Sequence, residues 1–158
     1  MNDSRSRNPA VRIPPLLLFL ASLALSLFLQ RLTGLGPAMP LSRPWQVVSI
    51  LLLAAGILLA VWAVGLFARH RTTIIPHGDS SALIIQGPYR FTRNPMYLGL
   101  SLAYLGVALW LQCWIALPFL VIPLWWLSFL IIPMEESQMR QRFGDAYDSY
   151  CDRVRRWL

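Results

Sequence analysis

The chain has 158 residues, of which 56% are hydrophobic and 13% charged. Water-soluble domains of this size carry roughly 25% charged residues, so the shortfall excludes a soluble globular domain, a disordered chain and a disulfide-stapled secreted module. The net charge is +7 and all 14 basic residues are arginine, which excludes Schiff-base and catalytic-lysine chemistry.

A bilayer core about 30 Å thick needs about 20 apolar residues as a helix. The uncharged run between Arg12 and Arg31 predicts a first span over about residues 13–30. A cleaved signal peptide is the rival for this segment, but no small-x-small site follows at Gln30, Arg31 and Leu32, so the helix is expected to be retained. The run between Arg43 and Arg69 predicts a second span over about 45–68. Third and fourth spans fall at about 95–111 and 114–132, with only Gln112 and Cys113 between them, which reads as a tight hairpin. Gly99, Ala103 and Gly106 form a small-residue stripe on the third span, and Gly56 and Ala60 offer the second a similar one. Pro118 and Pro123 lie inside the fourth span, where each removes a backbone donor and favours a kink. Pro133 is expected to mark the exit from the membrane and to open the next helix. The pair Phe143 and Gly144 reads as a helix stop, followed by a short amphipathic helix on the membrane surface. The expected fold is therefore all-α: a polytopic integral membrane protein with four transmembrane helices, a tight hairpin between the third and fourth, and a cytoplasmic C-terminal amphipathic helix. Residues 1–158 form one membrane domain on this reading.

The arginines follow the ends of these segments and form no single basic face, so no nucleic-acid partner is expected. Arg5, Arg7 and Arg12 precede the first span, and Arg69, Arg71, Arg90 and Arg93 lie between the second and third. Arg140, Arg142, Arg153, Arg155 and Arg156 follow the fourth, whereas the first connection holds only Arg31 and Arg43 and the hairpin none. Four spans thus put twelve arginines on one side and two on the other, which makes both termini cytoplasmic. Trp45, Trp110 and Trp114 would then share the outer interface. Cys113 and Cys151 fall on opposite sides, and no disulfide between them is expected. His70 and His77 have no carboxylate or thiolate at ligand spacing, so no metal is expected either. Gly34, Leu35 and Gly36 lack the strand and helix that a dinucleotide fingerprint needs.

Two cytoplasmic segments, 86–99 and 133–158, hold the residues with chemical potential. Gly87 and Pro88 make a turn and Pro95 starts the third membrane helix. Arg90 and Arg93 beside that helix start make an anion site, flanked by Tyr89 and Tyr97. An interfacial arginine anchor with tyrosines explains the same residues equally well. Glu135 and Glu136 adjoin the end of the fourth span, where they favour the start of the following helix. Glu136 and Arg140, four residues apart, read as an ordinary helical pair. Carboxylates at a membrane boundary are costly without a partner, and a cationic ligand would supply one.

Together, GPYRFTRNPMYLG (residues 87–99), the pair Glu135 and Glu136 after a helical hairpin, and FGxxYxxYxxxVxRW (residues 143–157) resemble a membrane methyltransferase superfamily. That group contains the isoprenylcysteine carboxyl methyltransferases and the phospholipid N-methyltransferases. The resemblance runs from about residue 73 to 158 and takes in Thr73 and Pro76. It implies S-adenosylmethionine as the cofactor, bound in a cytoplasm-facing pocket closed by the C-terminal segment. It also implies methylation of a lipidic or lipid-linked acceptor that enters from the bilayer. Carried onto this chain, it gives catalytic roles to Arg93, Asn94 and Glu136. Tyr89, Arg90, Pro95, Tyr97 and Glu135 would bind the cofactor, with Tyr147, Tyr150 and Arg153 in the lid.

Asn94 stands where the eukaryotic members have the His of an RHPxY sequence. Asparagine donates and accepts hydrogen bonds but exchanges no proton near neutral pH. Methyl transfer from a sulfonium is an in-line displacement, so the enzyme mainly positions nucleophile, methyl carbon and sulfur. O-methylation of a carboxylate and N-methylation of an amine both stay open. So do an NADPH-dependent membrane reductase of isoprenoid or sterol-like substrates, since sterol reductases resemble this group at the C-terminal end, and a non-catalytic membrane scaffold. The composition and short termini lead us to expect a bacterial inner-membrane protein.

Overall fold

A computed structural model describes residues 13–36, 41–69 and 83–158. Arg5, Arg7, Arg12, His70, Arg71, Thr73, Pro76 and His77 lie outside the described residues. Every regular element among the described residues is helical.

Helix α1 (Pro15–Thr33) opens on a proline, whose missing N–H is no loss in a first turn, and ends at Gly34 in the left-handed conformation (φ 66°). Helix α2 (Arg43–Arg69) has no charged residue between its two terminal arginines. Helix α3 (Pro95–Trp110) is followed by a turn through Gln112, at φ 54°, and by α4 (Ala116–Phe119) and α5 (Val121–Trp126). A π turn (Leu127–Ile131) leads into α6 (Ile132–Phe143), and α7 (Asp145–Arg153) closes the order.

Three helical runs are long and apolar enough to cross a membrane: Pro15–Thr33, Arg43–Arg69 and the continuous 28-residue run Ala116–Phe143. Helix α3 is apolar but has 16 residues, about 24 Å, because Pro95 and the turn at Leu111 fix its two ends. Many large apolar side chains of α1 and α2 point outward, including Leu17, Leu51, Leu58 and Val61, whereas Ser22, Ser26, Gln30 and Ser49 are buried. Such an inside-out arrangement fits a lipid surround.

Pro133 stands in the first turn of α6, as expected of the residue that opens it, but no break in the coil comes before it. The helix runs through it, because the π turn just upstream widens the coil where Pro133 has no N–H for the carbonyl four residues back. The 28-residue run is about 42 Å long against a core of about 30 Å, so its charged end projects beyond the apolar part that finishes near Ile132.

Helices α2 and α3 make the most extensive contact. Gly99 packs on Gly56 and Ala60, and Gly106 on Ser49 and Leu53, so the two run antiparallel. The small-residue stripes expected on these helices meet face to face. A Cβ on Gly99 would fall 2.6 Å from the Gly56 carbonyl oxygen and 2.9 Å from the Ala60 nitrogen. Gly99→Val should therefore cost about 1–3 kcal/mol through overpacking. We expect a lowered unfolding temperature in detergent, while Gly65→Ala, with nothing within 4 Å, leaves it unchanged.

Helix α1 packs on the α3–α4 hairpin through polar groups. Ser22 Oγ donates to the Phe119 carbonyl oxygen (2.8 Å), Gln30 Nε2 to that of Gln112 (3.0 Å) and Tyr104 Oη to that of Ala116 (3.0 Å). The Phe119 carbonyl has Pro123 four residues on, which brings no N–H, so the Ser22 hydroxyl supplies the donor that the helix lacks in an apolar medium.

Candidate functional site

The site is built where three segments meet beyond the start of α3. The first is a 3-10 turn, Gly87–Arg90, closed by hydrogen bonds from Tyr89 N to the Gln86 oxygen (3.2 Å) and from Phe91 N to the Pro88 oxygen (3.1 Å). Gly87 has φ 58°, and a Cβ there would lie 2.9 Å from Leu66 Cδ1, so the turn needs glycine on both counts. The turn buries Tyr89 against Phe67 of α2, with ring centroids 5.7 Å apart. Burial raises the Tyr89 hydroxyl pKa, and Tyr150 and Glu135 add to the rise.

The second segment is the charged end of the long helix. Tyr97 Oη donates to Glu135 Oε1 (2.7 Å). Burial pushes the Glu135 carboxyl up to about 7; the Tyr97 hydrogen bond works against this and the Glu136 charge with it. Glu136 is 6% exposed and is gripped by two arginines. Arg156 donates Nε to Oε1 (3.1 Å) and Nη2 to Oε2 (2.7 Å), and Arg93 Nη1 lies 3.3 Å from Oε1. The expected pair between Glu136 and Arg140 does not form. Arg140 is exposed and pairs with Asp148 instead (2.9 Å).

The third segment is the C-terminal strap. Gly144, at φ 50°, breaks α6 from α7, which turns the chain back over the site. Tyr150 Oη then donates to the Tyr89 carbonyl oxygen (2.7 Å), and burial pushes its pKa up to about 12. Beyond α7 the backbone is laid along residues 92–94. Arg93 N donates to the Arg155 oxygen (3.0 Å), while Thr92 Oγ1 (3.1 Å) and Asn94 Nδ2 (2.9 Å) both donate to the Arg156 oxygen. Asn94 is thus a clamp on the strap. Arg93 Nη1 also reaches Cys151 Sγ (2.6 Å).

These segments enclose a cavity of about 390 Å³. Of the residues singled out from the sequence, Tyr89, Arg93, Asn94, Pro95, Tyr97, Glu135, Glu136, Tyr147 and Tyr150 line it. Arg90 and Arg153 do not; both border a second cavity beside it. The walls are completed by Phe67, Leu83, Ile84, Met96, Met139, Gln138, Gln141 and Arg142. Three buried polar atoms in the lining residues have no partner: Tyr89 Oη, Arg93 Nε and Gln138 Oε1. Buried polar atoms are normally satisfied, and a polar ligand with apolar parts would satisfy these.

Residues 45–146 match the phospholipid methyltransferase family, which covers α2, the cavity-forming turn, α3 and the acid pair. The chain belongs to that family. Phospholipid methyltransferases are membrane methyltransferases, in keeping with the long apolar helices here. A relative from Haemophilus influenzae, described as an uncharacterized protein, is 38% identical over 63 residues, which is 40% of this chain and all of that one. No solved structure matches the chain.

Sequence reasoning passed over Arg156, although the RW of the C-terminal motif contains it. Its position there gives no sign that it reaches back twenty residues to Glu136. Leu83 and Ile84, just ahead of the turn, carried no signal at all.

Proposed function

We propose that this phospholipid methyltransferase family member uses S-adenosylmethionine to methylate an amine on a lipid acceptor, at the cytoplasmic face of a four-span membrane domain. The arginine distribution supports that orientation. The single observation that carries the chemistry is Glu135: a carboxylate in the cavity that accepts from the Tyr97 hydroxyl, while its neighbour Glu136 holds the arginines. An acid so placed calls for a cation.

The cavity residues fit the cofactor. Glu135 suits its ammonium or sulfonium charge, and Gln138 and Arg142 suit the amino-acid end. Phe67, Leu83, Ile84 and Met139 offer an apolar wall for the adenine. The partnerless Tyr89 hydroxyl and Gln138 carbonyl are groups that a polar ligand satisfies. Bound there, S-adenosylmethionine supplies an electrophilic methyl group.

The protein's own part is proton removal and positioning. An ammonium acceptor must lose a proton before its lone pair is available, and Glu135, pushed up to about 7, can take it at neutral pH. Tyr89, Tyr97, Tyr147 and Tyr150 wall the cavity and keep water from the reacting groups. Arg93 gives Nη1 to Glu136 and Cys151 and keeps Nε without a partner, so it too can serve a polar ligand. The preference for an amine acceptor rests on the Glu135 carboxylate. Asn94 and Glu136 act as positioning residues, holding the strap that closes the cavity.

Calorimetric titration of the purified chain in nanodiscs tests this reading. Saturable binding of S-adenosylhomocysteine, weakened at least about tenfold by Tyr97→Phe together with Glu135→Gln, is the expected result. NADPH binding in place of the adenosyl ligand would move the assignment to a reductase. A folded chain that binds neither would leave the scaffold.

A further inference from the structure

Glu135 and Glu136 are adjacent on α6 and line the same cavity, yet the fold treats them differently. Glu135 accepts from a neutral hydroxyl, that of Tyr97 (2.7 Å). Glu136 is held through both oxygens by the Arg156 guanidinium, at 3.1 Å and 2.7 Å. Arg93 adds a single-point contact at 3.3 Å, and the same Nη1 is shared with Cys151 (2.6 Å). Arg156 does not line the cavity, so it acts on the chemistry there through Glu136.

Two neighbouring carboxyls do not ionise independently, because the charge on either one holds the proton on the other. A cation fixed on one member divides the pair into a carboxylate that stays charged and a carboxyl that exchanges its proton. Tyr89, Arg93, Tyr97, Arg142, Tyr147 and Tyr150 face this cavity from the 3-10 turn, the segment after it, α3, α6 and α7. Among them Arg93 reaches Glu136, at one point. The two-point grip comes from Arg156, and its backbone is mounted for the purpose. The Arg156 carbonyl oxygen accepts from Thr92 Oγ1 (3.1 Å) and from Asn94 Nδ2 (2.9 Å), and Thr92 is only 2% exposed. A guanidinium so mounted is held in one place rather than free to wander as on a surface ion pair.

We infer that Arg156 is a positioning residue for the reaction: by holding the charge of Glu136, it leaves Glu135 as the member of the acid pair that exchanges a proton with the ligand. That the ligand is a methyl acceptor rests on the methyltransferase reading; the division of labour within the pair does not. Loss of the Arg156 charge leaves Glu136 less balanced. Its negative charge then disfavours the Glu135 carboxylate, and Glu135 keeps its proton to higher pH.

The test is an infrared titration of the full chain in nanodiscs, which follows the protonated-carboxyl band of Glu135 and uses Glu135→Gln as the blank that assigns it. The Arg156 side chain is 37% exposed and lies beyond α7, so the fold should tolerate Arg156→Gln. In wild type the band should be half lost at about pH 7. In Arg156→Gln that midpoint should move up by at least about half a pH unit. Arg156→Lys keeps the charge without the two-point grip and should stay close to wild type. A merely structural role would lower thermal stability in both variants and leave the midpoint in place, which overturns the inference. A midpoint that falls overturns it too, since water admitted by a loosened strap would then outweigh the charge. An equal rise in both variants also overturns it, because the charge would not be what matters. A midpoint that moves as expected in a chain that binds no S-adenosylhomocysteine keeps this inference and sinks the methyltransferase reading. Adenosyl binding with an unmoved midpoint does the reverse.

Discussion

Glu136→Ala is expected to abolish methyl transfer and to release the C-terminal strap. The carboxylate of Glu136 is buried and satisfies Arg156 through both oxygens and Arg93 through one. Removing it leaves two guanidinium groups facing each other, one of them on a side chain only 14% exposed. Breaking a buried pair in this way costs about 3–5 kcal/mol, mostly as the penalty of an unpaired buried charge. Four neutral bonds also fasten the strap, from Thr92 and Asn94 to the Arg156 oxygen, from Arg93 N to the Arg155 oxygen and from Tyr150 to the Tyr89 oxygen. At about 0.5–1.5 kcal/mol each they are of the same size as that penalty, so the strap should open far more often while the helices stay folded. Limited trypsin digestion reads the outcome directly, because Arg153, Arg155 and Arg156 are the cleavage sites: cutting should be fast in the variant and slow in wild type. Affinity for S-adenosylhomocysteine should fall about 100-fold. Arg156→Lys, which keeps the charge and loses the two-point grip, should fall between the two. Wild-type resistance to trypsin in Glu136→Ala would show that something other than this ion cluster fastens the strap.

This pair also marks the limit of what the sequence discloses. The membrane helices were legible because uncharged runs between arginines have few alternatives, and the α2–α3 contact because glycine and alanine at helical spacing allow close backbone approach. The acid pair was legible as a place, but its partners were not. Spacing of four favours Arg140 for Glu136, and that rule holds for an isolated helix. In the folded chain Glu136 faces inward and Arg140 outward, so a residue twenty positions away wins the carboxylate. Arg90 and Arg93 give the same lesson. Three residues apart, they look like one face, but the 3-10 turn ends at Arg90, so the periodicity does not reach Arg93. One borders each cavity. Pro133 opens α6 as expected, but a proline shows only that one backbone hydrogen bond is missing, not that the preceding turn widens into a π turn and keeps the coil continuous.

Turnover of Glu135→Gln is expected to fall about 100-fold or more, the range for loss of a general base. Its pH dependence separates this role from a structural one. The Glu135 carboxyl is pushed from an ordinary 4.5 up to about 7 by burial, and only the carboxylate can accept a proton. In wild type, kcat/KM should therefore climb from pH 6 to pH 8 and level off, since that ratio reports the unliganded enzyme. The stability contribution has the opposite sign. A carboxyl whose pKa is raised by folding binds its proton more tightly in the folded state, so its contribution is complete below 4.5 and is lost as pH rises to about 7. Activity and thermal stability should thus run in opposite directions across this window. Glutamine keeps the hydrogen bond from Tyr97 but has no proton to exchange, so it should flatten the rise in rate and the fall in stability together. A variant that keeps the wild-type pH profile at reduced rate would remove Glu135 as the base and leave it as a binding group for the cofactor's positive charge.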